Sequence, residues 1–437
     1  MSRPRRCAVG TLLLAGALPL GAQDTTARGV RIGLRYDPGS RPGVIVLPIS
    51  GSTGDSIRTI LERDFDYSDR LSVVPLDQED VSVLEGSTAA GSTPELNYSI
   101  FAKVGAAGVI QTTITTRGLH VALHDVVKAG VATVREFPLP KPEYSREWRL
   151  AVHGVSDAAQ EWITGERGAS QSRIAFVRSY VVRVVDSDGQ EEIALPAVAE
   201  ALSPSWNSQG TMIVYSTFGP DSRIVLQDLR SGRTRAFGSQ RNTQRLTPVF
   251  TPDGKSVVYA LSGETGSDLF LVPVDGEAIP RKMTVGRGSR NWGPSFSPDG
   301  TRLAFGSDRT GHPEVYIMDA DGTNADIFTA FDFGDQNDRT SPDWSPDGRQ
   351  IAFMSRIDGQ YQVFAMSLRD RQPRQLTSEG ENEDPSWAPD GRHLVFVSTR
   401  TGTRQLWIAD TESGRLRQLT QVGGTRVPAW SPRLAGK

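Results

Sequence analysis

Two histidines four residues apart, His120 and His124, have the spacing that puts a zinc pair on one face of a helix. That chemistry needs a glutamate after the first histidine. Here Val121 and Leu123 alternate with the histidines instead, a period of two that reads as a strand, so no metal is assigned. Asp186-Ser187-Asp188-Gly189 and Asp319-Ala320-Asp321-Gly322 begin like calcium loops, but their twelfth positions are Ala197 and Ala330 where a bidentate glutamate is required. Both tetrads are good hairpin turns, and that reading is preferred. A serine hydrolase of the α/β type would carry Gly-x-Ser-x-Gly, and the chain has none. The residues capable of chemistry therefore point away from catalysis and toward the elements that carry them.

The only cysteine, Cys7, lies at the start of an apolar run that follows Arg3, Arg5 and Arg6 and ends at Gly21-Ala22. Basic, apolar and small residues in that order form a secretory signal over residues 1–22, cut after Ala22. The mature chain would be periplasmic and without a thiol, which excludes disulfides, thiolate metal sites and cysteine nucleophiles. Losing three arginines takes the formal charge from -3 to -6. A mildly acidic chain lacks the basic stripe that nucleic acid requires.

The strongest pattern is an internal repeat. Pro204-Ser205-Trp206, Pro248-Val249-Phe250, Pro294-Ser295-Phe296, Pro342-Asp343-Trp344, Pro385-Ser386-Trp387 and Pro428-Ala429-Trp430 recur at intervals of 44, 46, 48, 43 and 43 residues. Four of them are followed by Pro-Asp-Gly, whose proline presets φ and whose glycine closes a turn. Alternating apolar stretches such as Leu303-Ala304-Phe305 then give four short strands per repeat. A lone four-stranded blade cannot cover its own faces, so the repeats must stack around an axis as a β-propeller. The strands from Ile174 onward lack a preceding Pro-x-aromatic segment, and the last segment, ending at Trp430, lacks following strands. Joined, they complete a sixth blade and leave no open sheet edge. The conspicuous Trp and Phe are then core residues of the innermost strands.

Residues 23–168 lack the repeat and alternate strand-like with helix-like runs, the helical ones at 58–65 and 148–163. The expected fold is mixed: a small amino-terminal α/β domain over 23–168 with a flexible arm, then an all-β six-bladed propeller of WD40-like repeats over 169–437, closed by the carboxy-terminal strand. Residues 86–93 read as a flexible surface loop.

Several segments together resemble the TolB family of the Tol-Pal system. They are Pro42-Gly43-Val44-Ile45-Val46-Leu47-Pro48, residues 64–71, Ala151-Val152-His153 through Asp157, Ile163 through Gly168 running into Ser172-Arg173-Ile174-Ala175-Phe176-Val177, and Pro428-Ala429-Trp430-Ser431-Pro432. The resemblance implies a non-catalytic scaffold that reaches membranes through partners; no cofactor is assigned, and a monomer is the default expectation. The scaffold would link the inner-membrane protein TolA and the outer-membrane lipoprotein Pal, for outer-membrane integrity and invagination during division. It further implies that TolA captures the mature amino terminus as an added strand, matched here by Val30, Arg31, Ile32, Gly33, Leu34, Arg35 and Tyr36.

Pal would bind one propeller face. The loops before each Pro-x-aromatic segment and after each second strand emerge opposite the Pro-Asp-Gly turns and vary most between repeats. They contain Gln244, Arg245, Leu246 and Thr247; Asn291, Trp292 and Gly293; Asp338, Arg339 and Thr340; Glu383 and Asp384; and Arg426 and Val427. An acidic residue that the family carries before the anchor proline is Gly293 in one blade, whereas Asp384 keeps it in another. Trp292 reads equally as a partner anchor or as packing between blades. The alternatives from other classes are a secreted propeller enzyme, such as a lyase or glycosidase with carboxylates in the channel, and a propeller that binds a small ligand or glycan.

Overall fold

A computed structural model describes residues 41–76, 96–196, 199–238, 243–276, 278–284, 288–329 and 337–434. The expected signal, the arm with Val30 to Tyr36 and the loop at 86–93 lie outside the described residues.

The amino-terminal region builds one five-stranded sheet. Strand β1 (Gly43–Val46) lies between β2 (Ser72–Val73) and β3 (Ala106–Thr115), parallel to both, and β4 (Gly118–Asp125) and β5 (Gly130–Phe137) continue antiparallel. Helices α1 (Ser52–Tyr67) and α3 (Arg146–Thr164) cover one face, burying Val44, Val46, Leu61, Phe65, Trp148 and Val155 together. The short α2 (Tyr98–Lys103) places Phe101 with Ile45 and Val109 on the other face. Helix α3 has a serine start and a glycine stop: Ser145 Oγ accepts the Trp148 N–H at 3.2 Å, and Gly165 ends it in the left-handed region. His120 and His124 both sit on β4, as the alternation required. His124 is buried between Tyr98 Oη at 2.9 Å and Gln111 Oε1 at 3.2 Å.

Six antiparallel four-stranded sheets follow. Blade 1 spans 201–237, blade 2 244–282, blade 3 291–327, blade 4 339–375 and blade 5 382–418. Blade 6 combines the closing strand Thr425–Trp430 with β6 (Arg173–Arg178), β7 (Val181–Asp186) and β8 (Ile193–Ala194). Thr425 lies opposite Arg178 and Trp430 opposite Ile174, so the two ends of the repeat region complete one sheet. Cores form between neighbouring blades; Trp387, for instance, packs with Ala352, Leu394 and Phe396.

Each innermost strand runs from one end of the ring to the Pro-Asp-Gly end, and the antiparallel order puts the turns between third and fourth strands at that same end. The amino-terminal domain caps it over blades 5 and 6. Arg415 of blade 5 pairs with Asp66 at 2.9 Å and Asp69 at 3.1 Å, Arg149 donates to Asp188 of blade 6 at 2.7 Å, and the Arg417 guanidinium lies 4.1 Å from the Tyr67 ring centroid. The described residues of this domain make their contacts at that end and not at the opposite one.

Candidate functional site

The open end leads into a central channel of about 530 Å³ lined by all six Pro-x-aromatic segments. The residue before each proline is left-handed: Ser203 (φ 48°), Thr247 (48°), Gly293 (59°), Ser341 (50°), Asp384 (52°) and Val427 (48°). Pairing to the second strand is interrupted at the same place in every blade, which makes these positions β-bulges. A left-handed backbone costs a residue with a Cβ about 1–2 kcal/mol, and only one of the six is glycine. The surrounding ring over-determines this strain.

Two layers of hydrogen bonds tie the blades together here. Deeper in the channel, the middle residue of one segment accepts the backbone N–H of the next blade's aromatic: Ser295 Oγ from Trp344 at 3.0 Å, Asp343 Oδ2 from Trp387 at 2.7 Å, and Ser386 Oγ from Trp430 at 3.1 Å. At the mouth, Thr247 Oγ1 accepts the Gly293 N–H at 3.1 Å and Asp384 Oδ1 accepts the Ser341 hydroxyl at 3.2 Å. Burial pushes the Asp343 carboxyl up to about 6 against the pull of its hydrogen bonds, and raises Asp384 for the same reason.

The residues expected at this face divide into frame and lining. Arg245 is buried and donates to the Ser222 carbonyl at 3.0 Å. Asn291 is buried too, its Nδ2 donating to the Ser267 carbonyl while its Oδ1 accepts from Ser307 and Arg309. Thr340 is buried and accepts the Trp292 indole N–H, so Trp292 bridges blades 3 and 4. Gln244 donates to the Gly219 carbonyl at 3.1 Å, and Leu246 packs against the core between blades 2 and 3. Ion pairs join Arg339 to Glu314 at 2.9 Å, Glu383 to Arg404 at 3.0 Å, and Asp338 to Arg356 at 3.8 Å. Thr247, Gly293, Asp384 and Val427 line the channel, and Arg426 is exposed.

Sequence reasoning missed Tyr180 and Phe218 at this end. They are 44% and 53% exposed, with ring centroids 5.9 Å apart and an interplanar angle of 23°. Tyr180 is held by a two-residue turn in which both Ser179 (φ 51°) and Tyr180 (60°) are left-handed. A short hairpin without glycine between two apolar strands was the available signal.

Two groups of buried His and Asp at the capped end have ligand atoms close enough for a metal: Asp69, His393 and Asp410, and His153, Asp186 and Asp188. Arginines already occupy these carboxylates. Arg392 holds Asp410 at 2.5 Å, Arg173 holds Asp186 at 2.9 Å, and Arg63 and Arg149 hold Asp188. Each histidine instead bridges the two domains. His153 Nδ1 is 2.7 Å from Asp64 and its Nε2 3.6 Å from Asp188, while His393 lies 2.6 Å from Asp390 and 3.5 Å from Asp69. Burial alone would lower both histidines, but the carboxylates outweigh it, raising His153 and pushing His393 up to about 9.

Comparison with known proteins agrees with this architecture. Over 185 residues the chain is 31% identical to the Tol-Pal system protein TolB of Bordetella pertussis and 30% identical to that of Bordetella parapertussis, covering 41% of this chain and 42% of each relative. These matches span about two fifths of the relatives' length. The crystal structure of TolB from Acinetobacter baumannii superposes with a TM-score of 0.75 at 26% identity, covering 90% of this chain and 98% of that one. Residues 160–434 match the profile described as the TolB beta propeller domain. The chain belongs to the TolB family.

Proposed function

We propose that this chain is a non-catalytic periplasmic scaffold of the Tol-Pal system, binding Pal at the open end of the propeller and TolA through residues 30–36. The observation that carries the reading is the division of the ring into two ends. The amino-terminal domain covers one end through buried ion pairs, leaving at the other a face built from loops of all six blades around the channel mouth. Tyr180 and Phe218 supply that face with rigid aromatic area of the kind that anchors protein partners. Residues 30–36, captured as an added strand on a partner's sheet, would make the TolA contact. Residues 1–22 act as a cleaved export signal in this reading, and no described helix is long and apolar enough to cross a membrane.

The test is a pull-down from detergent-solubilised envelopes with the mature protein and with a form lacking residues 23–36. Recovery of Pal by both forms, and of TolA by the longer form alone, is the expected result. Recovery of neither would leave the family fold without this function.

A further inference from the structure

The turns between third and fourth strands offer an internal comparison of six equivalent positions. In five blades the turn has a left-handed glycine, Gly189 (φ 85°), Gly232 (69°), Gly276 (68°), Gly322 (97°) or Gly414 (75°), followed two residues later in blades 6 and 3 by the left-handed Glu191 (56°) and Asn324 (54°). In blade 4 the left-handed residue of the turn is Arg371 at φ 53°. The turn itself is ordinary, since Arg371 N–H donates to the Ser367 carbonyl at 3.0 Å just as Gly232 donates to Asp228 and Gly414 to Asp410, both at 2.9 Å. The arginine therefore adds strain without altering the backbone hydrogen bond. No ion pair offsets it. Among the described residues the Arg371 side chain makes neither a hydrogen bond nor a salt bridge, and its guanidinium stands 5.7 Å from the centroid of the buried Phe328 ring of blade 3.

That position lines a groove of about 350 Å³ between blades 3 and 4, a volume in the range of small-molecule sites. The groove lies at the Pro-Asp-Gly end, away from blades 5 and 6 where the amino-terminal domain sits. A second arginine, Arg302, enters it 4.9 Å from the Trp344 ring centroid. Among the described residues the Arg302 side chain likewise makes no hydrogen bond or salt bridge, and it contributes only a minor pull on the Asp299 carboxyl, which Ser297 chiefly holds down at about 2. Ile317, Ile327, Phe328 and Leu368 make the apolar wall. Two acidic residues line the groove as well: Asp319, which accepts the Asn324 amide at 2.6 Å, and the exposed Asp326.

We propose that this groove is a binding site for a short peptide with a free terminal carboxylate. Arg302 and Arg371 would face the carboxylate with planar donor forks that no acceptor among the described residues uses. The apolar wall takes a side chain, and Asp326 offers a counter-charge for the terminal ammonium. A left-handed arginine that touches Phe328 but makes no described hydrogen bond or ion pair, at a position sibling blades give to glycine, is the departure from the repeat that a ligand would explain. The inference stands independently of the scaffold reading, because it concerns a different face and a different ligand.

Titration calorimetry on the full chain decides it, with trileucine, its carboxy-terminal amide and inorganic phosphate as probes, and with R371G and R302Q as variants. Trileucine is expected to bind saturably, the amide and phosphate at least tenfold more weakly, and each variant to lose at least tenfold. Free R371G should melt about 1–2 °C higher, because glycine relieves the left-handed strain. Absence of trileucine binding, equal binding of acid and amide, or phosphate binding as tightly as peptide overturns the proposal. A lower melting temperature for R371G overturns it too, since the arginine would then be serving the turn.

Discussion

The two ends of the propeller solve opposite problems. At the capped end, carboxylates and arginines from both domains are buried against each other, and two histidines each reach an acid on either side of the seam. At the open end, charges pair locally within the ring, the backbone is left-handed at six places, and two aromatic side chains stand in solvent. A seam saturated with buried ion pairs fixes orientation, because separating it would strand charges in a low-dielectric site. The other end keeps aromatic surface that is exposed among the described residues.

The hardest way to break the contrast is to remove one charge from each end. Asp188→Ala leaves Arg63, Arg149 and His153 facing an empty place and should cost about 3–5 kcal/mol, whereas Asp338→Ala at the open end should cost less than about 1 kcal/mol. Urea unfolding of both variants measures the difference, and equal costs would show the seam to be no more than surface electrostatics.

The ends should also differ in their response to pH. His393 is raised to about 9, so its contribution is complete below about 6.5 and is lost as pH climbs through about 9. The loss is on the order of 3 kcal/mol and should vanish in His393→Gln. Asp343, raised to about 6, has its window lower: its stabilising effect is complete below about 4 and gone above about 6. Midpoints of denaturation measured from pH 4 to pH 10 would separate the two windows, and a flat profile above pH 7 would contradict the histidine assignment.

Replacing Tyr180 and Phe218 together with alanine tests the open face directly. Stability should change by less than about 1 kcal/mol because both rings are half exposed, while capture of Pal should weaken roughly thirtyfold. Unchanged capture would move the interface elsewhere on the ring. The smallest expected effect is at the strained mouth, where Ser203→Gly should raise stability by up to about 1 kcal/mol in a thermal melt.

Much of the fold was legible because it is local and repeated. Pro-x-aromatic spacing, the Pro-Asp-Gly turns and the two mismatched ends predicted six blades and the pairing of Thr425–Trp430 with β6, and both are observed. In the amino-terminal domain, β5 and the six-residue α2 went unread, since a mostly exposed edge strand and a single helical turn carry little periodicity. The face was harder to read by residue. Arg245 and Asn291 are polar and lie next to variable loops, yet they are bonded inside blades, because burial depends on the ring's curvature.

Turn chemistry and apolar alternation, which act over a few residues, therefore determined the blades and the closure from the sequence alone. Only the tertiary structure decided which end the amino-terminal domain covers, that Asp64 meets His153 and Asp69 meets His393, and that Arg371 and Arg302 share a groove. Those relations join residues tens to hundreds of positions apart, and their geometry exists only once the ring has closed.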